Sequence, residues 1–444
     1  MIEPMADSNI RIISELKNFL RETSQMQEKK RKYSFNPNDF TRNRKLDFRT
    51  LSLLILSTLK RSLSVELQDF FGHIGKASCT KQAFSEQRMK LKPSFIEDWN
   101  KLLIRSFYEK YAGAANRWKG MLLYAIDGSS IPLPNSKELK DKYGCPGSRQ
   151  GQSNPAGRIC VLYDVLNQLA VQSILHPYTE SEESVVLDIL KGVELNTSLL
   201  LFDRGYPSYW LMHRLAAMQT HFVMRVPSNA NKAVEAFIDS DLLDTTVDIY
   251  PSYKSIAKLR QLDIEITRTT PLKVRYVKVV LDTGEIEILA TNLFDSSLYT
   301  TADLKEVYFL RWGIETFYGY IKEELLLAQF SGIRDICIQQ DFAANLFLFN
   351  LQSLIEKQCE PYLEKVCRTR KYKYKVNKNI SWATMKYRVT KLFLLQNIGS
   401  ILMELQLLFE KHLEPIRPRR KFTRIRKARP NSKHYTLTNY KRAL

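Results

Sequence analysis

The stretch MLLYAIDGSSIPLP, residues 121–134, predicts a buried apolar strand that ends in an acid and a turn. A second stretch of the same kind, SLLLFDRGYP, occupies residues 198–207. Between the two, a pair of apolar segments flanks Asn167 and Gln168 as a β-hairpin, and a capped helix follows. A helix (SYWLMHRLAAMQ) and a strand (HFVMRVP) come after the second acid. This order of strands and helices predicts a mixed α/β domain.

Asp127 and Asp203 each stand at the predicted end of one of these buried strands. Loops at the carboxyl ends of sheet strands open a crevice in which ligands bind. Taken singly, each acid is better explained as a turn or cap aspartate. Two such strand ends in one α/β unit shift the interpretation towards a functional pair.

The stretch FLRWGIETFYGYIKEEL, residues 309–325, predicts part of a long helix that begins at a cap on Thr301. At ~100° per residue, its polar and aromatic side chains share an arc of roughly 60°: Tyr308, Arg311, Glu315 and Lys322, with Trp312 at its border. The apolar side chains fall on the opposite side: Leu310, Ile314, Phe317, Ile321 and Leu325. We therefore expect Glu315 to face outward. A solvated face with a weak ion pair is the alternative, but phosphate and base contacts explain the aromatic residues better.

Three carboxylates that converge can hold two Mg²⁺ or Mn²⁺ ions about 3.5–4 Å apart, an arrangement suited to displacement at phosphorus. Mg²⁺ prefers hard oxygen ligands and keeps water positions free for a phosphate. The sequence thus predicts a metal site made of Asp127, Asp203 and Glu315, provided that the three side chains meet.

These residues resemble the DDE transposases of the bacterial insertion-sequence "type four" family. The signature Y-x2-R-x3-E-x6-K is met by Tyr308, Arg311, Glu315 and Lys322, while AIDGS and FDRGY resemble the first and second acidic blocks. CTKQAFSEQRMKL and FTRNRKLDF resemble the N-terminal region of that family. The resemblance implies a ribonuclease-H-like catalytic core with a β insertion between the second Asp and the Glu.

The same resemblance implies cut-and-paste DNA transposition: cleavage at the ends of an insertion sequence, followed by strand transfer into target DNA. It implies that Arg311 and Lys322 grip phosphates, that Tyr308 binds the same backbone, and that Trp312 is a candidate for holding a flipped base. It also implies a homodimer that pairs two DNA ends, and a bacterial protein of the cytoplasm that associates with the nucleoid.

The composition agrees with a polyanionic partner. Lys and Arg number 67 against 47 Asp and Glu, which gives a net charge of +20, and such a field attracts nucleic acid. No run of 18 apolar residues and no signal peptide is present, so no membrane partner is predicted. The six cysteines lack zinc-binding spacing and fit a reduced cytoplasm.

Basic residues are concentrated in two places. KKRKYSFNPNDFTRNRKLDF, residues 29–48, mixes Lys and Arg with aromatic rings, and we expect Arg42, Arg44 and Lys45 to contact DNA, although a solvated linker has a similar composition. The residues beyond Ile416 hold eleven Lys or Arg and no acid, which predicts a tail that is disordered until it meets a polyanion.

We divide the chain by these patterns into six segments: a helical N-terminal DNA-binding region (1–110), the first part of the catalytic core (111–226), a β insertion (227–290), the second part of the core (291–345), a helical C-terminal region suited to dimerisation (346–415), and the basic tail (416–444). Two other functions remain open: a nuclease of the same core that does not transpose, and a DNA-binding protein that has lost catalysis.

Overall fold

The computed structural model of the protein describes residues 5–42, 44–57, 60–146, 154–281 and 284–417. Most of the predicted basic tail lies outside these residues. The chain divides into two compact units. We call Met1–Ala115, Ile131–Gly157 and Tyr320–Leu444 the helical unit, and Asn116–Ser130 with Arg158–Gly319 the sheet unit.

The main sheet has eight strands in the order β3-β2-β1-β4-β5-β8-β7-β6. Their bounds are β1 Leu122–Pro132, β2 Ala156–Asp164, β3 Leu169–Pro177, β4 Ser198–Phe202, β5 His221–Val226, β6 Asp244–Ile249, β7 Leu272–Val280 and β8 Ile286–Thr291. Strand β4 pairs in parallel with β1 on one side and with β5 on the other. The next three pairs, β5 with β8, β8 with β7 and β7 with β6, are antiparallel. This mixed sheet confirms the predicted α/β class with a mixed sheet.

Helices precede, interrupt and follow the strands. Those up to the second strand are α1 Met5–Gln25, α2 Gln27–Lys32, α3 Phe48–Leu56, α4 Leu63–His73, α5 Lys81–Arg88, α6 Ser94–Lys110 and α7 Lys137–Tyr143. Those of the sheet unit are α8 Glu182–Leu190, α9 Tyr209–Ala217, α10 Lys232–Asp239, α11 Tyr253–Arg260, α12 Thr301–Leu310 and α13 Trp312–Gly319. The remainder are a π-helix (Tyr320–Glu324), α14 Asp335–Lys357, α15 Glu360–Thr369, α16 Lys378–Leu394 and α17 Ile398–Lys411; a small hairpin joins β9 Lys373–Val376 to β10 Leu413–Ile416.

The centre of the main sheet is apolar on both faces. All five residues of β4 are buried, and so are Leu122–Ile126 of β1. Strands covered on both faces carry continuous apolar runs instead of an alternating pattern. This is why the two stretches that end in acids were recognisable as strands from the sequence.

The predicted β insertion is only partly correct. The segments containing β6, β7 and β8 form antiparallel strands, but they extend the main sheet instead of forming a separate small one, because β8 pairs with the free edge of β5. Pairing in this way covers backbone groups that would otherwise be left open at the edge. The period-two alternation of DIEITRT, residues 263–269, also predicts a strand, but these residues form none, and the Thr267 N–H donates to Thr270 Oγ1 at 3.0 Å.

Two predicted helices are also broken into shorter ones. Apolar residues at helical spacing from Leu51 to Phe71 predict a helix, but this stretch contains the end of α3 and most of α4. The helix predicted to start at a Thr301 cap is instead capped by Thr300 in a capping box with Asp303, and it is divided at Arg311 into α12 and α13 before the π-helix begins. A regular periodicity of ~100° per residue therefore does not hold along its whole length.

In the helical unit, segments from both ends of the chain share one hydrophobic core. The ring of Trp99 on α6 stacks on Phe347 of α14 with centroids 4.6 Å apart, and it also contacts Phe393 of α16 at 4.8 Å. The regions predicted separately as 1–110 and 346–415 thus pack together. Within the part of the chain that the structure describes, no helix is long and apolar enough to cross a membrane.

Candidate active site

Asp127 and Asp203 are brought together by strand register. Strands β1 and β4 pair from Leu122 opposite Ser198 to Ile126 opposite Phe202. The residues that follow this last pair are Asp127 and Asp203, so parallel pairing places them side by side. Strand β1 itself continues to Pro132, so the prediction that the strand ends at Asp127 is wrong. What ends at this position is the pairing with β4.

Helix α13, which carries Glu315, approaches the sheet closely. A Cβ atom added to Gly313 would stand 2.9 Å from Cγ1 of Val165, the residue after β2, so a larger side chain at position 313 would require Val165 or the helix to shift. Four residues further along, the ring of Phe317 stacks on Tyr163 of β2, with centroids 4.9 Å apart. The small glycine and the aromatic pair together fix the height of Glu315 above the sheet.

A buried hydrogen bond ties the same helix to the strand of the first acid. The hydroxyl of Tyr318 donates to the backbone carbonyl of Asp127 at 2.7 Å, and the carbonyl of Ile159 lies 3.4 Å away. Sequence reasoning missed this role, because Tyr318 looked like one more residue of a helix face. A tyrosine hydroxyl that is buried generally has a hydrogen-bond partner, but the sequence does not say which.

Replacing Tyr318 with Phe will lower the free energy of unfolding by about 1–2 kcal/mol, because the Asp127 carbonyl is left without its donor in a buried position. Urea denaturation followed by circular dichroism measures the loss. Tyr250→Phe is the matched control, since Tyr250 is 59% exposed. Equal midpoints for the two variants would contradict the importance of this bond.

Arg311 lies at the centre of the charged cluster. Its side chain is 5% exposed, and Nη2 donates to Glu315 Oε1 at 2.9 Å. Burial raises the pKa of Asp127 and the charge of Arg311 opposes that rise, while Tyr308, Glu315 and Asp203 raise the pKa of Arg311 against the effect of burial. One guanidinium therefore interacts with all three predicted acids.

The burial of Arg311 corrects the predicted outward face. Tyr308 is also buried, whereas Glu315, 36% exposed in its side chain, Trp312, 50% exposed, and the half-buried Lys322 reach the surface. On the predicted apolar side, Leu310 is only half-buried. Periodicity placed Arg311 outward because an unpaired arginine avoids the interior, but pairing with carboxylates offsets the cost of burial.

Several donors in this cluster are buried without a partner. Among the described residues, no group accepts from Arg311 Nε, from Arg311 Nη1 or from the hydroxyl of Tyr308. Each such group costs about 1–3 kcal/mol. Unmet donors on a buried cation are suited to receiving an anion, and the exposed Trp312 ring lies next to them, 5.4 Å from Arg311 Cζ.

The carboxyl group of Asp127 holds its proton unusually well. Burial raises its pKa to about 7, and the negative charges of Glu182 and Asp203 act in the same direction. The Gly128 N–H, which donates to Asp127 Oδ1 at 2.8 Å, and Arg311 act in the opposite direction. A nearby cation stabilises the charged form of a carboxylate in such a buried setting more strongly than it stabilises that of an exposed carboxylate.

In the metal-free protein, Asp127 will make the free energy of unfolding fall as the pH rises from about 4 to about 7. The folded protein retains the Asp127 proton up to about pH 7, whereas an unfolded aspartate loses it near pH ~3.9. The folded state therefore binds more protons in this window, and its stability decreases with pH. Melting temperatures of the wild type and Asp127→Asn in EDTA measure the effect, and the wild type should lose stability relative to Asn towards the upper pH. A difference independent of pH would contradict it.

The carboxylate oxygens of Asp127 and Asp203 are neighbours and are of the type that a hard divalent cation prefers as ligands. A cation between them would also offset their two negative charges. In the described part of the chain, however, no three His, Cys, Asp or Glu side chains are grouped closely enough to hold a metal ion. The carboxylate of Glu315 accepts a hydrogen bond from Arg311 and is not grouped with the two aspartates. In the described residues the three predicted acids are thus not grouped as one metal site; Asp127 and Asp203 are adjacent, and Arg311 interacts with both of them and with Glu315.

The other predicted site residues lie in the helical unit. Lys322 is part of the π-helix, so its predicted position on a regular helix face does not apply. Arg42, Arg44 and Lys45 are exposed on the segment before α3. Two of these line a cavity of about 310 Å³ whose walls are Asn38, Phe40, Thr41, Arg42, Arg44, Gln87 and Lys90.

Comparison with known proteins agrees with this topology. A family model described as "Transposase DDE domain" matches residues 118–351, just over half of the chain. The protein therefore belongs to the family of DDE transposase domains.

Two individual proteins show more distant similarity. The chain is 29% identical over 93 residues to "Putative transposase InsZ" of Escherichia coli (strain K12), a match that covers 20% of this chain and 31% of InsZ. The chain thus spans about a third of the length of that curated relative. A cryo-EM structure of a piggyBac transposase synaptic complex with hairpin DNA aligns over 92% of this chain and 86% of its own, at 11% identity and a TM-score of 0.41.

Proposed function

We propose that the protein is a transposase that binds the terminal inverted repeats of an insertion sequence and catalyses metal-dependent cleavage and strand transfer of DNA. The observation that carries this proposal is the arrangement of Asp127, Asp203 and Glu315 around the buried guanidinium of Arg311. Membership of the DDE family supports the assignment of these three acids as catalytic.

The acids would hold two Mg²⁺ or Mn²⁺ ions, which when bound would activate the attacking oxygen and stabilise the leaving oxygen. Asp127 and Asp203 provide adjacent oxygen donors after the last residues that pair between their strands. Glu315 would join the site from α13, which packs close to the sheet at Gly313 and Phe317.

Arg311 and Tyr308 would bind a DNA phosphate. Nε and Nη1 of the arginine and the hydroxyl of the tyrosine have no hydrogen-bond partner in the described part of the chain. Each of them could donate a hydrogen bond to a phosphate oxygen. Trp312 would stack on a base exposed at the DNA end, since half of its side chain is open to solvent. Lys322 would supply a further phosphate contact from the π-helix.

The helical unit would hold the DNA duplex through its basic surface. Arg42, Arg44 and Lys45 are exposed there, and the adjoining cavity carries Lys90 as well. Contacts of Lys and Arg with phosphates fix a protein on DNA without reading its sequence. The helices of the C-terminal region would form the dimer that pairs two ends, which sedimentation of the protein with end DNA tests directly.

Changing Arg42, Arg44 and Lys45 together to Ala will weaken binding to all DNA sequences and make binding less sensitive to salt. Each lost phosphate contact should reduce the slope of log K against log salt by about 0.9. Fluorescence anisotropy at several salt concentrations measures this slope. Lys191→Ala, which removes an exposed charge from the sheet unit, should leave the slope nearly unchanged; a slope unaffected in the triple variant would contradict the proposed contact.

The proposed function is tested with purified protein, Mg²⁺ and labelled duplexes that carry the DNA flanking the gene or a scrambled end. Cleavage at the repeat ends, followed by joining to a target plasmid, is the expected result. Cleavage of both duplexes without joining would contradict the proposal and identify the protein as a nuclease that does not transpose. Binding of the DNA without any cleavage, seen as retarded migration in a gel, would contradict the proposal and identify a DNA-binding protein that has lost catalysis.

A further inference from the structure

A strongly basic segment of the helical unit surrounds strand β9. Seven of the fourteen residues from Lys365 to Lys378 (KVCRTRKYKYKVNK) are Lys or Arg, and none is acidic. The segment leaves α15, bends at residues 370–372 and enters β9, which pairs antiparallel with β10. We call the bend 370–372 together with β9 and β10 the basic ribbon. Its two strands form a sheet of their own, separate from the main sheet.

The basic ribbon is anchored to the helices on one side. Val376 is 5% exposed, and the N–H of Tyr374 donates to Cys367 Sγ of α15 at 3.2 Å. Where β9 ends, the N–H of Asn377 donates to the carbonyl of His412 at 2.9 Å. These contacts fix the backbone of the ribbon, so its outer side chains are presented from a rigid element.

The other side of the basic ribbon carries exposed cations. Side chains alternate along a strand, so Lys373 and Lys375 share the exposed face of β9. Lys375 is paired with Glu414 of β10 at 3.0 Å. Among the residues that the structure describes, Lys373 has no carboxylate partner, and neither have the exposed Arg370 and Lys371 of the bend. Three neighbouring cations are therefore left without an acid that offsets their charge.

Two of these three cations lie over tyrosine rings. Arg370 Cζ is 4.8 Å from the ring centroid of Tyr374, and Lys371 Nζ is 5.6 Å from that of Tyr372. Cations are attracted to the faces of aromatic rings. The rings thus restrict the two side chains before any ligand binds, which reduces the entropy that binding costs.

We propose that the basic ribbon binds the phosphates of duplex DNA through Arg370, Lys371 and Lys373. This inference rests on the proposed function and adds a second contact surface to the one before α3. The occupant follows from charge, because three cations without acid partners complement a polyanion. A two-stranded β-ribbon is also narrow enough to enter the major groove of DNA. Contacts with phosphates hold a duplex without reading its sequence.

The test changes Arg370, Lys371 and Lys373 together to Ala in the full-length protein. At about 0.9 per lost phosphate contact, the slope of log K against log salt should become shallower by about 2–3, and binding near ~0.1 M salt should weaken at least ~10-fold. Fluorescence anisotropy with an end duplex and a scrambled duplex measures both quantities. The two duplexes should lose affinity equally, since phosphate contacts carry no sequence information.

The matched control changes Lys29, Lys101 and Arg105 together to Ala, which removes the same charge from exposed positions of the helical unit. These three side chains already have acid partners, namely Glu22, Asp98 and Glu109, at 2.6, 3.5 and 3.6 Å. The slope should change by less than about 1, the value for a single contact. Circular dichroism of both variants establishes that the helices are retained. All proteins compared keep the basic residues beyond Ile416, so those residues cannot produce a difference between them.

The outcomes separate this inference from the proposed function. An unchanged slope in the ribbon variant, with weaker binding after the change of Arg42, Arg44 and Lys45, would overturn the role of the ribbon and leave the proposed function in place. Equal losses in the ribbon and control variants would reduce the effect to net charge and would also overturn it. A loss confined to the end duplex would overturn phosphate contact in favour of base contact. Failure of the wild type to bind either duplex would overturn both the inference and the proposed function.

Discussion

Glu315→Gln will reduce cleavage of DNA ends at least ~10³-fold, since in the proposed function the carboxylate would help to hold the metal ions that stabilise the charge developing at the phosphate. The substitution keeps the size of the side chain and one acceptor oxygen, so the bond from Arg311 Nη2 can remain. DNA binding should therefore stay within about 3-fold of the wild type, which a gel-shift assay measures beside the cleavage assay.

The matched control for this change is Glu306→Gln on α12, which removes an exposed carboxylate from the same region of the chain. It should cleave as the wild type does. Equal activity in Glu315→Gln and the wild type would remove Glu315 from the catalytic group. Loss of DNA binding together with cleavage would assign it a role in docking instead.

Arg311→Lys will reduce cleavage by about 10²–10³-fold, the effect of removing one positioned donor from a reacting centre. Lysine keeps the positive charge that the carboxylates require, but it lacks the planar fork of donors that matches a phosphate. The unmet Nε and Nη1 of Arg311 are the groups that this change deletes. Folding should survive, whereas Arg311→Ala leaves buried acids unpaired and should cost about 3–5 kcal/mol.

Arg204→Lys is the control, because Arg204 follows Asp203 but is exposed. Cleavage, DNA binding and Tm are measured for all three variants in parallel. Wild-type activity in the Arg311→Lys variant would show that charge alone is needed at this position. A Tm for Arg311→Ala equal to that of the wild type would contradict the electrostatic role of the guanidinium.

The two strands that carry Asp127 and Asp203 were predictable from the sequence because their burial on both faces leaves an uninterrupted apolar run. The hairpin around Asn167 and Gln168 was predictable for a similar local reason, and Gln168 adopts the positive φ of 55° that its turn requires. The spacing of Tyr308, Arg311, Glu315 and Lys322 was sufficient to suggest a DDE transposase, and the match over residues 118–351 confirms the DDE family.

The path of the chain through β6, β7 and β8 could not be read in the same way. Alternating side chains identify a strand but do not name its partner, and only the structure shows that β8 joins β5. The predicted orientation of the helix around Glu315 was wrong for a related reason. Its periodicity assumed regular geometry, whereas the chain breaks at Arg311 and continues as a π-helix from Tyr320.

The sequence by itself determined which residues we propose to carry the chemistry: two acids after buried strands and a glutamate spaced from an arginine along a helix. The tertiary structure alone decided that Arg311 is buried among the acids and that Tyr318 bonds to the backbone of Asp127. The physical reason is that local propensity and periodicity depend on near neighbours in the chain, whereas pairing of buried charges joins residues far apart in sequence, and its partners are fixed only when strands and helices pack.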